Sequence, residues 1–223
     1  AHFNHQLRGR ASDGDEQFVI RTAKSLGLRA VRGHADVKAM AKRRSLSVEM
    51  AARTLRHEFL ARIANRLGVR SIALAHHAGD QVELFFLRLL RGAGGEGIAG
   101  MKWHNPAPAE SKIQIVRPLL DVIKADIKKF ARENKIQFRE DRSNASQDVL
   151  RNRIRHELLP LIVSRYQPAL AKTVLRGMEI IGAEAEFVAD AARAWLKQKR
   201  RPAFGRCPPP YCPAAPLRSA TRG

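Results

Sequence analysis

Apolar positions along this chain form two kinds of block that alternate: short continuous runs, and longer stripes at helical spacing. Residues 72–75 form a run that predicts a buried strand. Two histidines and Asp80 follow, then Val82, Phe85, Phe86 and Leu89 recur at a helix period, with Asp80 placed as N-cap and Gly92 as the stop. Upstream, residues 1–4 read as a strand end and residues 5–10 as a basic loop. Ser12 and Asp13 offer an N-cap to a helix striped by Phe18, Val19, Ala23 and Leu26 and closed at Gly27. Residues 28–34 predict a second strand, and residues 36–45 a short helix or loop. Ser47 caps a long helix whose stripe runs Val48, Ala51, Ala52, Leu55, Phe59, Ile63, Leu67 up to Gly68.

Downstream, residues 101–111 read as a Pro-containing loop, 113–116 as a strand, 123–134 as a helix with Ile127 and Phe130 inward, and 136–138 as a short strand. Residues 139–144 form a dense polar loop. Over residues 150–160, Arg151 and Arg155 share one helix face while Ile154, Leu158 and Leu159 share another. Residues 168–198 carry a single long helical pattern, and six of the eleven prolines lie beyond Arg200, where no apolar face recurs and disorder is expected. The alternation predicts an α/β fold: a Rossmann-like parallel sheet with helices on both faces, followed by a long helical segment.

Composition narrows the partners. The 223 residues carry 41 Lys and Arg against 21 Asp and Glu, a net charge of +20 that favours a polyanion such as nucleic acid. No apolar run approaches the roughly 18 residues of a membrane span, and no secretory leader opens the chain. The cysteines, Cys207 and Cys212, both lie in the tail, so neither a disulfide framework nor a four-ligand zinc site is indicated, and a cytoplasmic location is expected.

Chemistry concentrates where the strand at 72–75 hands over to its helix, the edge at which open α/β sheets bind ligands. Asp80 and Glu83 are three apart and share the first helical turn, beside His76 and His77. They suit a cationic substrate or proton transfer; equally, Asp80 serves as a cap and Glu83 as a complement to the helix dipole. With no cysteine or third carboxylate near, no metal is expected. The glycine-rich stretch 92–97 follows a helix instead of joining a strand to one, so it lacks the P-loop setting, although its N–H groups suit phosphate. An arginine face at Arg151 and Arg155 suits phosphate as well, or is a solvated face.

Taken together, the pieces resemble one family. They are Ala1-His-Phe-Asn-His-Gln-Leu-Arg-Gly9 with residues 13–18, Ser47-Val-Glu-Met-Ala-Ala-Arg53, Ala75-His-His-Ala-Gly-Asp-Gln-Val-Glu83, Leu87-Arg-Leu-Leu-Arg-Gly-Ala-Gly94 with residues 97–101, Val116-Arg-Pro-Leu-Leu120, Arg139-Glu-Asp-Arg-Ser-Asn144 and Leu150-Arg-Asn-Arg-Ile-Arg-His-Glu-Leu-Leu-Pro160. In this order, over residues 1–165, they resemble the bacterial tRNA(Ile)-lysidine synthetases of the N-type ATP pyrophosphatase, or PP-loop, group. The resemblance implies a ligase that uses ATP, with Mg2+, to adenylate the C2 oxygen of the wobble cytidine, position 34, of the tRNA(Ile) with a CAU anticodon, releasing pyrophosphate. The ε-amine of free L-lysine then displaces AMP to form lysidine. It implies Asp80 and Glu83 as the acidic pair for lysine, with His77 a further catalytic candidate. Arg91, Gly92 and Gly94 would steady phosphates, and Arg151, Asn152, Arg153 and Arg155 would serve the adenylated tRNA. The partners implied are that minor tRNA(Ile) and L-lysine, with no membrane; the oligomeric state stays open, a homodimer among the options.

Three departures stand out. The family's Ser-Gly-Gly-x-Asp-Ser pyrophosphate loop is absent from the chain, which is read as a truncation upstream of Ala1. Gly79 stands where many members carry an acid, and Leu84 where many carry Thr. The domains expected are a catalytic domain at 1–165 lacking its first strand and pyrophosphate loop, a helical linker or start of a second domain at 166–199, and a Pro/Arg-rich tail at 200–223. The alternative functions are a tRNA-thiolating relative, disfavoured because residues 1–206 hold no cysteine, and an inactive fragment or non-catalytic tRNA-binding module.

Overall fold

The computed structural model describes residues 1–139 and 149–199. The tail and most of the polar loop at 139–144 lie outside those residues. Residues 1–185 form one compact unit, and from Glu186 a second unit carries the final helix on to Lys199.

Strand β1 (His2–Asn4) pairs in parallel with β2 (Arg32–His34), Phe3 opposite Gly33. Strand β3 (Ser71–Ala73) pairs in parallel with β5 (Glu110–Val116), and β4 (His104–Ala107) joins the far side of β5 antiparallel. Two expectations are corrected here. Residues 101–111 are not a loop but contain β4, and residues 136–138 form no strand. Pro106 fits β4 because β4 lies at the edge of the sheet order, where a missing N–H is tolerated, and the register shifts just after it.

Helix α3 (Val48–Leu67) is the spine. Ser47 Oγ accepts the Met50 N–H at 3.1 Å, and Gly68 closes the helix in the left-handed conformation at φ 67°. Its apolar residues point more than one way. Ala51 packs against Val37, Met40 and Ala41 of α2 (Val37–Arg43), Phe59 and Ile63 pack against Phe3, and Ala61 and Ala64 pack against Ala107, Ile113 and Ile115. Alanines at the last contact let the helix backbone lie close over the β3–β5–β4 sheet. Gly33 serves the same end on the other sheet, since a Cβ there would run into the Phe59 ring.

Helix α1 (Arg10–Ser25) starts before the expected cap. Gly9 precedes it, while Ser12 is buried in its first turn, where its Oγ accepts the Arg8 N–H. After β3 come α4 (Ala78–Leu89) and the short α5 (Gly95–Ile98). The buried Gln81 amide clasps Met101 in both directions, Nε2 donating to its carbonyl at 2.9 Å and Oε1 accepting its N–H at 2.8 Å. Helix α6 (Lys124–Glu133) buries no residue fully: Ile127 is half-buried, but Phe130, expected inward, is exposed.

The arginine-bearing segment is α7 (Val149–Arg153), a wider π turn over Ile154–Leu158, then α8 (Leu159–Arg165). The Leu159 N–H bonds to the Ile154 carbonyl, five residues back. Pro160 supplies the reason, because in an ideal α-turn its ring would strike the carbonyl of His156. Val82 of α4 packs on Leu170, Val174 and Met178 of α9 (Leu170–Lys199).

Candidate active site

His77 forms a parallel bridge to Leu119, so the chain leaving β3 stays beside the chain leaving β5 before α4 begins. His77, not Asp80, is the N-cap of α4. Its Nδ1 accepts the Gly79 N–H at 3.1 Å, and Asp80 Oδ2 reaches back to accept the His77 N–H at 3.0 Å. The two form a reciprocal capping box with Asp80 at the third helical position. Because Nδ1 accepts, His77 carries its proton on Nε2, which lies 3.7 Å from Asp80 Oδ2. Gly79 suits this cap: a Cβ there would sit 2.9 Å from His77 Cε1, so an acid would crowd the imidazole.

Glu83 lies one turn further along α4 with 7% of its side chain exposed. Arg155 grips it in a two-pronged contact, Nε to Oε1 at 2.6 Å and Nη2 to Oε2 at 2.7 Å. Arg151 adds Nε to Oε2 at 2.9 Å and spans to Asp80 Oδ1 through Nη2 at 3.4 Å. Burial pushes the Glu83 carboxyl up, but the bonds from Arg155 and then Arg151 outweigh it and leave its pKa below the ordinary value. The same contact raises Arg155. Asp80, Glu83, Arg151 and Arg155 thus form a charge-balanced cluster at the strand edge, held together from α4 and from the segment around the π turn. Arg153 faces away, exposed, with Glu157 at 3.5 Å, while Asn152 is half-buried.

The expected phosphate residues after α4 are arranged differently. Gly92 adopts φ 72° and donates its N–H to the Leu89 carbonyl, Gly94 caps α5, and Arg91 is exposed beside them. Of the polar loop at 139–144 only Arg139 is described, with Nε 3.1 Å from Asp15 Oδ1. Among the described residues no three His, Cys, Asp or Glu side chains group as a metal site.

Sequence reasoning gave no role to Arg53, Arg56 and His57 of α3 or to Arg117 just after β5, and it placed His76 only beside His77 at the carboxylate pair. Burial lowers the pKa of His57 to about 4, with Arg56, Arg53, Arg117 and His76 adding to the shift. The same burial lowers His76, which Asp80 partly offsets. The available signal was the three-residue spacing of Arg53 and Arg56 on one face of α3. A separate cavity of about 450 Å³, lined by Asn65, Gly68, Arg70 and Lys112 among others, shares no residue with either cluster.

Parallel strand pairs, β1 with β2 and β3 with β5, packed against helices and with charged side chains gathered beyond the ends of β3 and β5, define a ligand-binding α/β domain. A family model described as the PP-loop domain matches residues 1–162, and the chain belongs to that family, whose domain binds ATP. The chain is similar to the tRNA(Ile)-lysidine synthase of Geobacter sulfurreducens, 43% identical over 181 residues that cover 81% of this chain and 37% of that protein. It is also similar to that of Porphyromonas gingivalis, 38% identical over 191 residues that cover 86% of this chain and 40% of that protein. It therefore spans about 40% of the length of the curated relatives it matches. The U34-tRNA thiolase NcsA from Methanococcus maripaludis, solved with its [4Fe-4S] cluster, matches with a TM-score of 0.63 over 81% of this chain and 61% of that one. At 13% identity that likeness is one of fold. No described helix is long and apolar enough to cross a membrane.

Proposed function

We propose that this chain contributes the catalytic-domain body of a tRNA(Ile)-lysidine synthase. The reaction is the ligation of L-lysine to C2 of cytidine 34 in the tRNA(Ile) with a CAU anticodon, at the expense of ATP with Mg2+, in the cytoplasm. Residues 1–165 are the catalytic body, 166–199 a helical linker and 200–223 a tail. The observation that carries the reading is the carboxylate pair Asp80 and Glu83 at the strand edge, met there by Arg151 and Arg155; the similarity to the synthases supports it.

ATP activates the C2 oxygen for displacement. The protein's own groups do the rest. Arg151 and Arg155 keep Glu83 ionised, so its charge is available to an ammonium. A tRNA phosphate competes for the same guanidiniums, and as one turns toward it a Glu83 oxygen opens to lysine. Asp80, with 19% of its side chain exposed, completes the ammonium site and accepts the proton that the attacking amine sheds. His77 holds the turn in place through its cap.

The test is a chimaera in which residues 1–162 replace the matching segment of the Geobacter sulfurreducens synthase. It is expected to incorporate labelled lysine into the CAU-anticodon tRNA(Ile), and Asp80→Asn is expected to raise the lysine KM about tenfold, the loss of one charge-assisted bond. A folded chimaera that releases pyrophosphate with tRNA yet incorporates no lysine would overturn the assignment.

A further inference from the structure

The end of α9 carries an order that the carboxylate–guanidinium cluster does not use. Residues 186–197 run Glu-Phe-Val-Ala-Asp-Ala-Ala-Arg-Ala-Trp-Leu-Lys, all within the helix and within the unit that begins at Glu186. Taken from its two ends inward, the stretch mirrors itself in chemistry. Glu186 answers Lys197, Phe187 answers Leu196, Val188 answers Trp195 and Asp190 answers Arg193, and the four positions left over are all Ala.

Such a mirror has physical content between two antiparallel helices. A twofold axis through the middle of the stretch sets each residue level with its counterpart in the other copy, the self-complementarity an isologous contact requires. Helical spacing then sorts the side chains by face. Val188 and Trp195, seven apart, share one line along the helix, with Ala191 and Ala192 on either side of it. Phe187 and Leu196 form the two margins, and the four charged residues lie on the far face, where Asp190 and Arg193 pair with each other. Phe187, Val188, Trp195 and Leu196 are each 54% to 74% exposed, and Ala191 and Ala192 are exposed between them. An apolar stripe of this kind ordinarily faces another apolar surface.

Charge selects a second copy as the occupant, and it also selects the direction. The chain carries +20, yet residues 186–197 hold two acids and two bases, so two copies meet here without the repulsion that opposes contact elsewhere. Both acids precede both bases. Antiparallel alignment sets the acidic end of each helix beside the basic end of the other and opposes the two helix dipoles, whereas parallel alignment sets like beside like.

We propose that residues 186–197 are a self-association element, on which a second copy of the chain docks antiparallel through the Val188 and Trp195 face. Ala191 and Ala192 sit at the twofold axis, where their small side chains let the helices approach closely. The stretch is about 18 Å long, at 1.5 Å per residue. The contact is therefore smaller than the roughly 1,200–2,000 Å² of a standard stable interface, and the dimer is a reversible one. The inference is independent of the ligase reading.

The test is sedimentation of the whole 223-residue chain after nuclease treatment. Concentration runs from about 1 to about 300 µM, the range of a weak interface, in about 0.5 M NaCl to keep nucleic acid off. The weight-average mass is expected to rise from one chain toward two. Ala191→Glu/Ala192→Glu puts like charges at the axis and is expected to weaken association about tenfold or more. Both positions are exposed and Glu is a good helix former, so the dilute variant should melt as wild type does. Direction is read by disulfide formation in a Cys207→Ser/Cys212→Ser background. Ala191→Cys lies at the axis and should cross-link, whereas Gln198→Cys lies about 20 Å along the helix from its counterpart and should not. A chain that stays monomeric throughout, or a dimer untouched by the two glutamates, overturns the proposal. Cross-linking at both cysteine positions, the mark of a parallel pair, or at neither, overturns it as well.

Discussion

Glu83→Gln tests the central cluster most directly. The substitution keeps the shape and removes the charge that receives three short bonds, at 2.6, 2.7 and 2.9 Å. With 7% of the Glu83 side chain exposed, solvent replaces little of what is lost on its side, whereas Arg155 and Arg151 keep 28% and 34% exposure and recover part of their hydration. Removing one partner of a buried ion pair costs about 3–5 kcal/mol, and the partial exposure of the arginines places this case near the lower end, about 3 kcal/mol. For a unit of this size each kcal/mol moves the melting temperature by about 2–4 °C, so a fall of about 6–12 °C is expected by scanning calorimetry at pH 7. The acid dependence follows from the sign of the shift. A carboxyl whose folded pKa lies below its unfolded value stabilises the protein above that unfolded value and loses the contribution as pH falls through the folded one. The gap between wild type and variant should therefore hold from pH 7 to near 4.5 and narrow below it. A variant that melts within a degree of wild type at pH 7 would refute the reasoning, because the arginine bonds would then contribute nothing in solution.

Two further outcomes are expected. Gly33→Ala places a methyl group against the Phe59 ring between β2 and α3 and should cost about 1–3 kcal/mol in urea melts; an unchanged midpoint would show that the contact is loose. His57 has its folded pKa lowered to about 4, so the unfolded chain binds its proton first and stability should fall as pH drops from 6.5 toward 4; His57→Gln should flatten that window, and an identical slope in the variant would remove His57 as its source.

How far the sequence carries the structure depends on whether the deciding contact is local. Ser47 and Gly68 mark the ends of α3 through bonds within a few residues, and both positions are readable. The shared face of Asp80 and Glu83, and that of Arg151 and Arg155, follow from helical spacing alone. The cap of α4 is misplaced from sequence because Asp is a far commoner cap than His, and in a capping box an acid three residues on looks like the start itself. Strand β4 is hidden by Pro106 and Pro108, which speak for a loop unless the strand is known to lie at an edge. The embrace of Glu83 by Arg155 joins residues 72 apart in sequence, and no local pattern announces it. From sequence Glu83 therefore reads as a dipole residue or a ligand, and its bonds to a second helical segment stay out of sight.

The two charge clusters explain one another at His76. Toward Asp80 this side chain feels a charge that favours its protonation, and toward Arg117, Arg56 and Arg53 it feels charges that oppose it. On one side of it carboxylates and guanidiniums are matched one for one; on the other, no carboxylate among the described residues pairs with the arginines. An ammonium is favoured only where a carboxylate can be uncovered, and a phosphate only where guanidiniums lack partners. A substrate pair made of an amino acid and a nucleotide-bearing strand would accordingly be sorted to opposite sides of one histidine. The arginines on the matched side are shared, because a phosphate brought close enough to draw Arg151 or Arg155 from Glu83 is what exposes the carboxylate. Ordered binding follows: the amino acid should bind weakly to the free protein and more tightly once phosphate occupies the edge, a coupling that titration of lysine with and without saturating pyrophosphate would measure. Equal lysine affinities in the two titrations would separate the clusters and leave Arg151 and Arg155 as structural braces.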